Sequence, residues 1–193
     1  MANKTDLRRI FIAIELSDAA RSECFDHVQR LRHKYPSANV GWERAEKLHI
    51  TVKFLGPTTD DILEKLNAGL DEKVRTLGRG ILRLSGPGIF PNKSRPRILW
   101  IGADDRDGLA SKGQASVEEV CRSLGFEPDD RRFTPHITIG RVKDPQSAQD
   151  LVAGHLRAQI EPVEFEVDGL VVYESKLLPT GSVYSVISRF VSR

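Results

Sequence analysis

The first half of the chain shows two periods of apolar residues. Residues 10–16 form a β-branched and aromatic run that predicts a strand, and Ser17 then offers an N-cap for a helix with apolar residues every three or four positions. Residues 48–55 alternate between apolar and polar, which predicts a second strand. Thr59 begins a second predicted helix, and Gly78 suits its end.

The second half repeats this order. After turn-rich residues 85–93, the pattern predicts a strand at 97–101, a helix ending near Gly125, a strand at 133–141, a helix from Asp144 to about Ala158, and last strands at 162–173 and 182–191 with a hairpin loop at 176–181. The order strand, helix, strand, helix therefore occurs twice, which indicates an internal duplication.

Each copy carries the sequence His-x-Thr in its second strand, as His49 with Thr51 and as His136 with Thr138. Residues i and i+2 of a strand project from the same face, so each copy presents an imidazole beside a hydroxyl. Two imidazoles that face one phosphate can serve as acid and base, and the hydroxyls can donate to its oxygens. A single His-x-Thr is typical of a polar strand face without chemistry, but two in matching contexts favour a pseudo-twofold site for phosphoester cleavage. We expect no metal, because neither copy supplies a third ligand.

Composition and charge narrow the function further. The 193 residues suit one domain, and 29 basic against 27 acidic residues leave a net charge of +2, too small for a protein that binds nucleic acid mainly by covering its phosphates. Cys24 and Cys121 lie on apolar helical stripes, which indicates a reducing compartment and no disulfide framework. The first apolar run is too short for a signal sequence or a membrane span, so we expect a complete, cytoplasmic protein.

The two motif segments, residues 48–56 and 133–141, resemble the paired His-x-Thr-x motifs of the two-histidine (2H) phosphoesterase superfamily. The similarity is strongest to its RNA 2′,3′-cyclic phosphodiesterase branch, the ThpR or LigT 2′-5′ RNA ligase family. The resemblance runs almost end to end and includes residues 9–14, Trp42, residues 96–100, Ser175, Gly181 and Tyr184.

The resemblance implies a bilobal α+β fold in which two antiparallel sheets face a central cleft, with helices on the outside. Residues 1–193 would then form one domain of two intertwined lobes related by a pseudo-twofold axis. The activity that the resemblance implies is hydrolysis of a terminal 2′,3′-cyclic phosphate to a 2′-phosphomonoester, without cofactor or metal.

The resemblance also implies residue roles. His49 is the general acid and His136 is the general base, while Thr51 and Thr138 hold phosphate oxygens. Arg141 matches an arginine that helps to hold the phosphate or the terminal nucleotide.

Two candidates lie five residues after the histidines. Strict alternation turns Arg141 away from His136, so its role requires the strand to end or bulge near Gly140. Phe54 is a candidate for stacking on a base, whereas strict alternation places it in the core.

Other residues receive ordinary roles. The residues expected to pack or to be structural are Trp42, Trp100 and Tyr184, and those expected to be solvated or to cap helices are His27, His33 and His155. The basic residues that offer a local track for an RNA backbone are Lys53, Lys93, Arg95, Arg97, Arg131 and Arg132.

Several functions stay open at this point. The same chemistry fits an RNA 3′ end, a small cyclic nucleotide, or the reverse reaction that joins RNA ends through a 2′-5′ linkage. A non-catalytic module that only clamps an RNA end is a further alternative, although a clamp needs no acid and base pair. We expect RNA or a cyclic nucleotide as the partner, no membrane, no obligatory protein partner, and a monomer.

Overall fold

The computed structural model describes residues 7–179 and 181–193, which form nine strands and four α-helices. The strands are β1 (Arg8–Glu15), β2 (Val40–Trp42), β3 (His49–Thr58), β4 (Gly80–Phe90), β5 (Ile98–Asp104), β6 (His136–Val142), β7 (Glu164–Val167), β8 (Gly169–Leu178) and β9 (Gly181–Val191). The helices are α1 (Asp18–Lys34), α2 (Asp60–Arg75), α3 (Leu109–Ser123) and α4 (Gln149–Leu156), and a 3₁₀ turn spans Ala45–Lys47.

The strands pair in the order β7-β4-β5-β6-β3-β1-β8-β9, and β2 pairs with β6. All described pairings are antiparallel, and β3 and β6 meet through one residue pair, Ile50 opposite Ile137. The predicted α+β class is confirmed. The two predicted sheets are the two halves of one curved sheet, joined at this pair.

The helices cross between the halves. Helix α1 packs on α4, β6 and β7 of the second half, whereas α3 packs on α2 and β3 of the first half. Each half of the sheet is therefore covered by a helix from the other copy. The description of the chain as one domain of two intertwined lobes stays a prediction.

Local signals explain where the first helices begin. The Ser17 hydroxyl accepts a hydrogen bond from the Ala20 N–H, and the Thr59 hydroxyl accepts one from the Ile62 N–H, so both predicted N-caps are present. Both cysteines are buried against the core, where desolvation raises each thiol pKa to about 12. None of the helices in the described residues has the length and hydropathy of a membrane span.

Several predicted boundaries were wrong. The single strand predicted at 162–173 is two strands, β7 and β8, because β7 pairs with β4 and β8 pairs with β1. Residues 85–88 lie within β4, because the Gly86 and Pro87 signals mark a bulge in that strand rather than a turn between elements. Helix α4 begins at Gln149, since the Asp144 carboxylate caps the N–H groups of Gln146 and Ser147 in a preceding turn. The predicted hairpin loop is shorter, because β8 continues to Leu178.

Candidate active site

The two His-x-Thr motifs meet at the centre of the sheet. Ile50 and Ile137 pair across β3 and β6, and both side chains are buried in the core under the helices. The residues on either side of each isoleucine therefore project from the opposite, concave face. This single residue pair brings together four predicted site residues: His49, Thr51, His136 and Thr138.

Both imidazoles are oriented in the same way. His49 Nδ1 lies 2.6 Å from the Lys47 carbonyl oxygen, and His136 Nδ1 lies 2.7 Å from the Thr134 carbonyl oxygen. A carbonyl oxygen only accepts, so Nδ1 carries the proton in both neutral rings and Nε2 offers a lone pair. His49 Nε2 lies 3.0 Å from Thr51 Oγ1. Each ring is thus held with Nε2 available for proton transfer.

Burial sets the protonation of both histidines. Desolvation lowers the pKa of His49 and of His136 below 6.5, and the hydrogen bonds to the carbonyl oxygens partly oppose this shift. Positive charge on Arg141, Arg21 and His136 lowers the pKa of His49 further. An anion bound between the rings would stabilise their protonated forms, so the electrostatics suit a phosphate.

A bulge occurs at the same place in each motif strand. Ile12 and Ala13 of β1 pair with Lys53 and Thr51, which leaves Val52 as the extra residue. In the second copy, Leu99 and Trp100 of β5 pair with Gly140 and Thr138, which leaves Ile139 as the extra residue. The extra residue is the third after the histidine in both strands, so the alternation of faces reverses at that point.

The bulges turn Arg141 and Phe54 to the concave face. The bulge that Arg141 requires near Gly140 is present, and the arginine forms an ion pair with Glu43 at 3.5 Å. The placement of Phe54 in the core was wrong, because its side chain is 59% exposed and its ring centroid lies 5.6 Å from that of Phe11. Both residues after the bulges face the same way as the histidines.

Aromatic rings enclose His49. The Phe11 centroid lies 5.0 Å from the His49 ring, and those of Tyr184 and Tyr173 lie at 5.7 and 6.3 Å. The structural role expected for Tyr184 thus includes direct packing on the site. The sequence reasoning missed Phe11 and Tyr173, although the position of Phe11 in an otherwise aliphatic strand was a usable signal.

Two different rings pack on His136. The Phe90 ring meets it edge-on at 5.1 Å, and the Trp100 ring lies at 5.8 Å. Trp100 also covers Gly88, where a Cβ would come within 2.0 Å of the indole ring. The packing role predicted for Trp100 is confirmed, and its partner is the site itself.

Comparison with known proteins decides the family. The model of the 2′-5′ RNA ligase superfamily matches residues 17–177. The chain belongs to the 2′-5′ RNA ligase superfamily. The chain is 30% identical to an RNA 2′,3′-cyclic phosphodiesterase of Thermotoga maritima, over 93% of this chain and 92% of the relative. It is 29% identical to one of Methanothermobacter thermautotrophicus, over 94% and 97%.

Solved structures share the fold of this chain. A Thermus thermophilus crystal structure aligns with a TM-score of 0.73 at 28% identity and covers 95% of this chain and 97% of its own. Escherichia coli LigT, crystallised with 3′-AMP, aligns with a TM-score of 0.74 over 96% and 98% of the two chains. At 22% identity, this structural alignment shows a shared fold.

Arg21 holds the loop before the first superfamily motif. Its guanidinium donates to the carbonyl oxygens of Leu16, Ala45 and Leu48, each at 3.2 Å. These bonds fix the 3₁₀ turn that carries the Lys47 carbonyl, the acceptor for His49 Nδ1. Sequence reasoning missed Arg21, because contacts across 24 and 27 residues leave no local signal.

A cleft of about 380 Å³ opens beside His49. Its lining includes Arg21 and Lys47 as well as Glu15, whose carboxylate accepts hydrogen bonds from Tyr173 and Arg189. The Lys47 ammonium donates to the Ser182 carbonyl oxygen and lies 5.4 Å from the Tyr184 ring centroid. In the described residues, no cluster of three His, Cys, Asp or Glu side chains has the arrangement of a metal site.

One member of the predicted RNA track is elsewhere. The bulge at Val52 turns Lys53 into the core, where it is 3% exposed and its Nζ lies 2.8 Å from Glu118 Oε1 and 3.0 Å from the Glu127 carbonyl oxygen. Lys53 therefore ties α3 and the loop before the second motif to β3. It does not reach the concave face.

Two histidines expected to be solvated or to cap helices form a buried pair. His27 Nε2 lies 2.9 Å from His155 Nδ1, and His155 Nε2 donates to the Gly88 carbonyl oxygen at 3.0 Å. Desolvation lowers the pKa of His27 to about 4 and also lowers that of His155. His33 is exposed in the last turn of α1, as predicted.

Proposed function

We propose that this chain is an RNA 2′,3′-cyclic phosphodiesterase that hydrolyses a terminal 2′,3′-cyclic phosphate to a 2′-phosphomonoester without a metal. The observation that carries the proposal is the pair Ile50–Ile137, which brings two imidazoles and two threonine hydroxyls to one face. Relatives named RNA 2′,3′-cyclic phosphodiesterase, about 30% identical over more than nine-tenths of the chain, support the same substrate.

The geometry suits an acid and base pair. His136 Nε2 takes a proton from water as the water oxygen forms a bond to phosphorus. The bond between phosphorus and the 3′ oxygen breaks, and His49 Nε2 donates its proton to that oxygen. The product keeps the phosphate on the 2′ oxygen, and exchange of protons with solvent restores both rings.

The remaining residues stabilise charge and position the nucleotide. The hydroxyls of Thr51 and Thr138 donate to the oxygens of the phosphate that do not bridge to ribose. Arg141 supplies a positive charge beside His49, and Phe54 offers an exposed ring on which the terminal base stacks. The negative phosphate raises the pKa of His49, which favours the protonated acid that the reaction needs.

The test is hydrolysis of an oligoribonucleotide that ends in a 2′,3′-cyclic phosphate, in excess chelator, with phosphorus NMR to identify the product. We expect full wild-type turnover to a 2′-phosphate and a loss of 10²-fold or more, roughly, in His49→Ala and His136→Ala. His33→Ala is the matched control, because this histidine is exposed and outside the site. A 3′-phosphate product, or loss of wild-type activity in chelator, would contradict the mechanism.

The other candidates give different results in the same assays. A non-catalytic clamp loses affinity to a similar degree in His49→Ala and Thr51→Ala, whereas an enzyme loses turnover far more than affinity when the histidine is removed. Preference for a nucleoside cyclic monophosphate would indicate a small-molecule enzyme. Joining of RNA ends through a 2′-5′ linkage differs only in the nucleophile: a 5′ hydroxyl in place of water attacks the same cyclic phosphate, the bond from phosphorus to the 3′ oxygen breaks, and the same two imidazoles serve as base and acid.

A further inference from the structure

We propose that the groove between residues 91–97 and helix α4 binds the single-stranded RNA upstream of the cyclic phosphate. Residues 91–97 form the loop between β4 and β5, here called the β4–β5 loop. The proposal rests on the proposed function and extends it from the terminal nucleotide to the RNA strand. It assigns a substrate surface on the outer side of the second half of the sheet.

The β4–β5 loop begins and ends at the site. Phe90, directly before the loop, packs edge-on against the His136 ring. Ile98, directly after the loop, pairs with Arg141 across β5 and β6. This loop therefore offers a continuous path from the concave face beside Arg141 to the groove.

The composition of the groove suits a nucleic acid strand. It encloses about 430 Å³, and its floor is apolar, formed by Pro96, Val152, Ala153 and Leu156. Lys93 and Arg157 flank this floor, and its other polar lining includes Ser94, Gln146 and Gln149. Cations meet phosphates, hydroxyl and amide groups hydrogen-bond to sugars and bases, and apolar surface receives base faces. Among residues 7–179 and 181–193, no carboxylate lines the groove.

The positive charge of this surface is not neutralised locally. Lys93, Arg95, Arg97 and Arg157 are exposed, and none of them forms an ion pair with the part of the chain that the structure describes. The nearby Asp144 carboxylate is bound to the N–H groups of Gln146 and Ser147. The groove thus attracts a polyanion. This charge favours RNA as the ligand over a basic or a purely apolar peptide.

Hydrogen bonds shape the loop before any ligand arrives. Asn92 Oδ1 accepts from Ser94 Oγ at 2.7 Å and from the Arg95 N–H at 3.1 Å. This turn fixes the backbone of the segment that carries Lys93. A fixed wall reduces the ordering cost of binding.

The test compares a long and a short substrate in one double variant. Lys93→Ala/Arg157→Ala removes two groove cations, and Arg106→Ala/Arg122→Ala removes two exposed cations near the ends of α3 as the matched control. We expect KM for an oligoribonucleotide of about ten nucleotides to rise roughly tenfold in the groove variant only. The slope of log KM against log salt concentration should fall by about 1.4, at roughly 0.7 for each lost phosphate contact. KM for a nucleoside 2′,3′-cyclic monophosphate should stay unchanged, as should kcat for both substrates.

Fluorescence anisotropy with a labelled oligoribonucleotide ending in a 2′-phosphate measures the same surface without turnover. We expect its Kd to rise roughly tenfold in the groove variant and to stay unchanged in the control. Equal affinities of the wild type and the groove variant, or equal losses of affinity in the groove and control variants, would overturn the proposal that the groove binds RNA. Absence of wild-type turnover on both substrates would overturn the proposed activity instead, and the anisotropy result would still decide whether the groove binds RNA.

Discussion

The two halves of the site have the same local backbone geometry but different surrounding side chains. Each has a histidine held by a carbonyl oxygen two residues earlier and a bulge three residues later. After the bulge, the first half presents Phe54 and the second presents Arg141. His49 lies among three aromatic rings, whereas His136 packs on two rings next to the basic β4–β5 loop. The repeated backbone geometry places the two histidines equivalently. The different neighbours make one side of the site aromatic and the other side basic.

The difference continues on the buried side of the sheet. Behind the first half, a charged pair joins Lys53 to Glu118 on α3. Behind the second half, the neutral pair His27–His155 joins α1 to α4 and reaches β4 through the Gly88 carbonyl oxygen. Each half is therefore linked to its helices by a polar contact of a different kind.

The largest effect is expected behind the first half. Lys53→Met leaves the Glu118 carboxylate buried without its cation, which should lower the free energy of unfolding by about 3–5 kcal/mol. Urea titration at neutral pH measures this loss. Lys65→Met is the control, because its pair with Asp61 is exposed and should contribute less than about 1 kcal/mol. Equal losses in the two variants would contradict the structural role of the buried pair.

The second half should respond to acid. Unfolded His27 binds a proton near pH 6.5 and folded His27 only near pH 4, so the unfolded state binds more protons between these values. The free energy of unfolding should therefore fall by about 3 kcal/mol as the pH drops from 6.5 to 4. In His27→Gln this part of the pH dependence should disappear, and His33→Gln should keep it. If the free energy of unfolding of His27→Gln kept the wild-type dependence on pH, the His27–His155 pair would not be the cause of the acid response.

The residues after the bulges should separate chemistry from binding. Under the proposed mechanism, Arg141→Gln removes a charge beside the phosphate and should lower kcat roughly 100-fold, as for loss of one transition-state donor. Phe54→Leu removes a stacking surface and should raise KM roughly tenfold with little change in kcat. Steady-state kinetics on the oligoribonucleotide distinguishes the two. If both variants changed the same parameter, the division between the halves would be wrong.

The smallest effect concerns the pH profile. Under the proposed mechanism, the pH profile of kcat/KM should be bell-shaped, with its alkaline limb governed by His49 as the acid. Arg141 lowers the pKa of His49 but is not among the causes that shift His136. In Arg141→Gln the alkaline limb should move to higher pH while the acidic limb stays in place. Movement of the acidic limb instead would indicate that His49 is the base and His136 is the acid.

Local patterns in the sequence predicted the motif strands and the helix caps at Ser17 and Thr59. They failed where a strand departs from period two. The bulge at Val52 exchanged the faces of Lys53 and Phe54, because one extra residue reverses the side chains that directly follow it. The strand β4 was missed for a related reason, since glycine and proline mark bulges as well as turns.

Contacts between distant residues left no trace in any local pattern. His27 and His155 are 128 residues apart, and each lies in a helix whose apolar spacing says nothing of a polar partner. Arg21 looks like a solvated residue of α1 until the loop before β3 folds over it. The roles of such residues are determined by tertiary packing, so only the structure shows them.

The pairing of β1 with β8 has a consequence for synthesis on the ribosome. His49 and Phe11 are synthesised before Tyr173 and Tyr184, which complete the aromatic enclosure from β8 and β9. A nascent chain that ends at residue 150 already carries both His-x-Thr motifs, yet β1 still lacks its neighbour β8. The first half of the site is thus begun first and completed later, and premature termination yields a chain that has both histidines and Phe11 but lacks the two tyrosines that pack on His49.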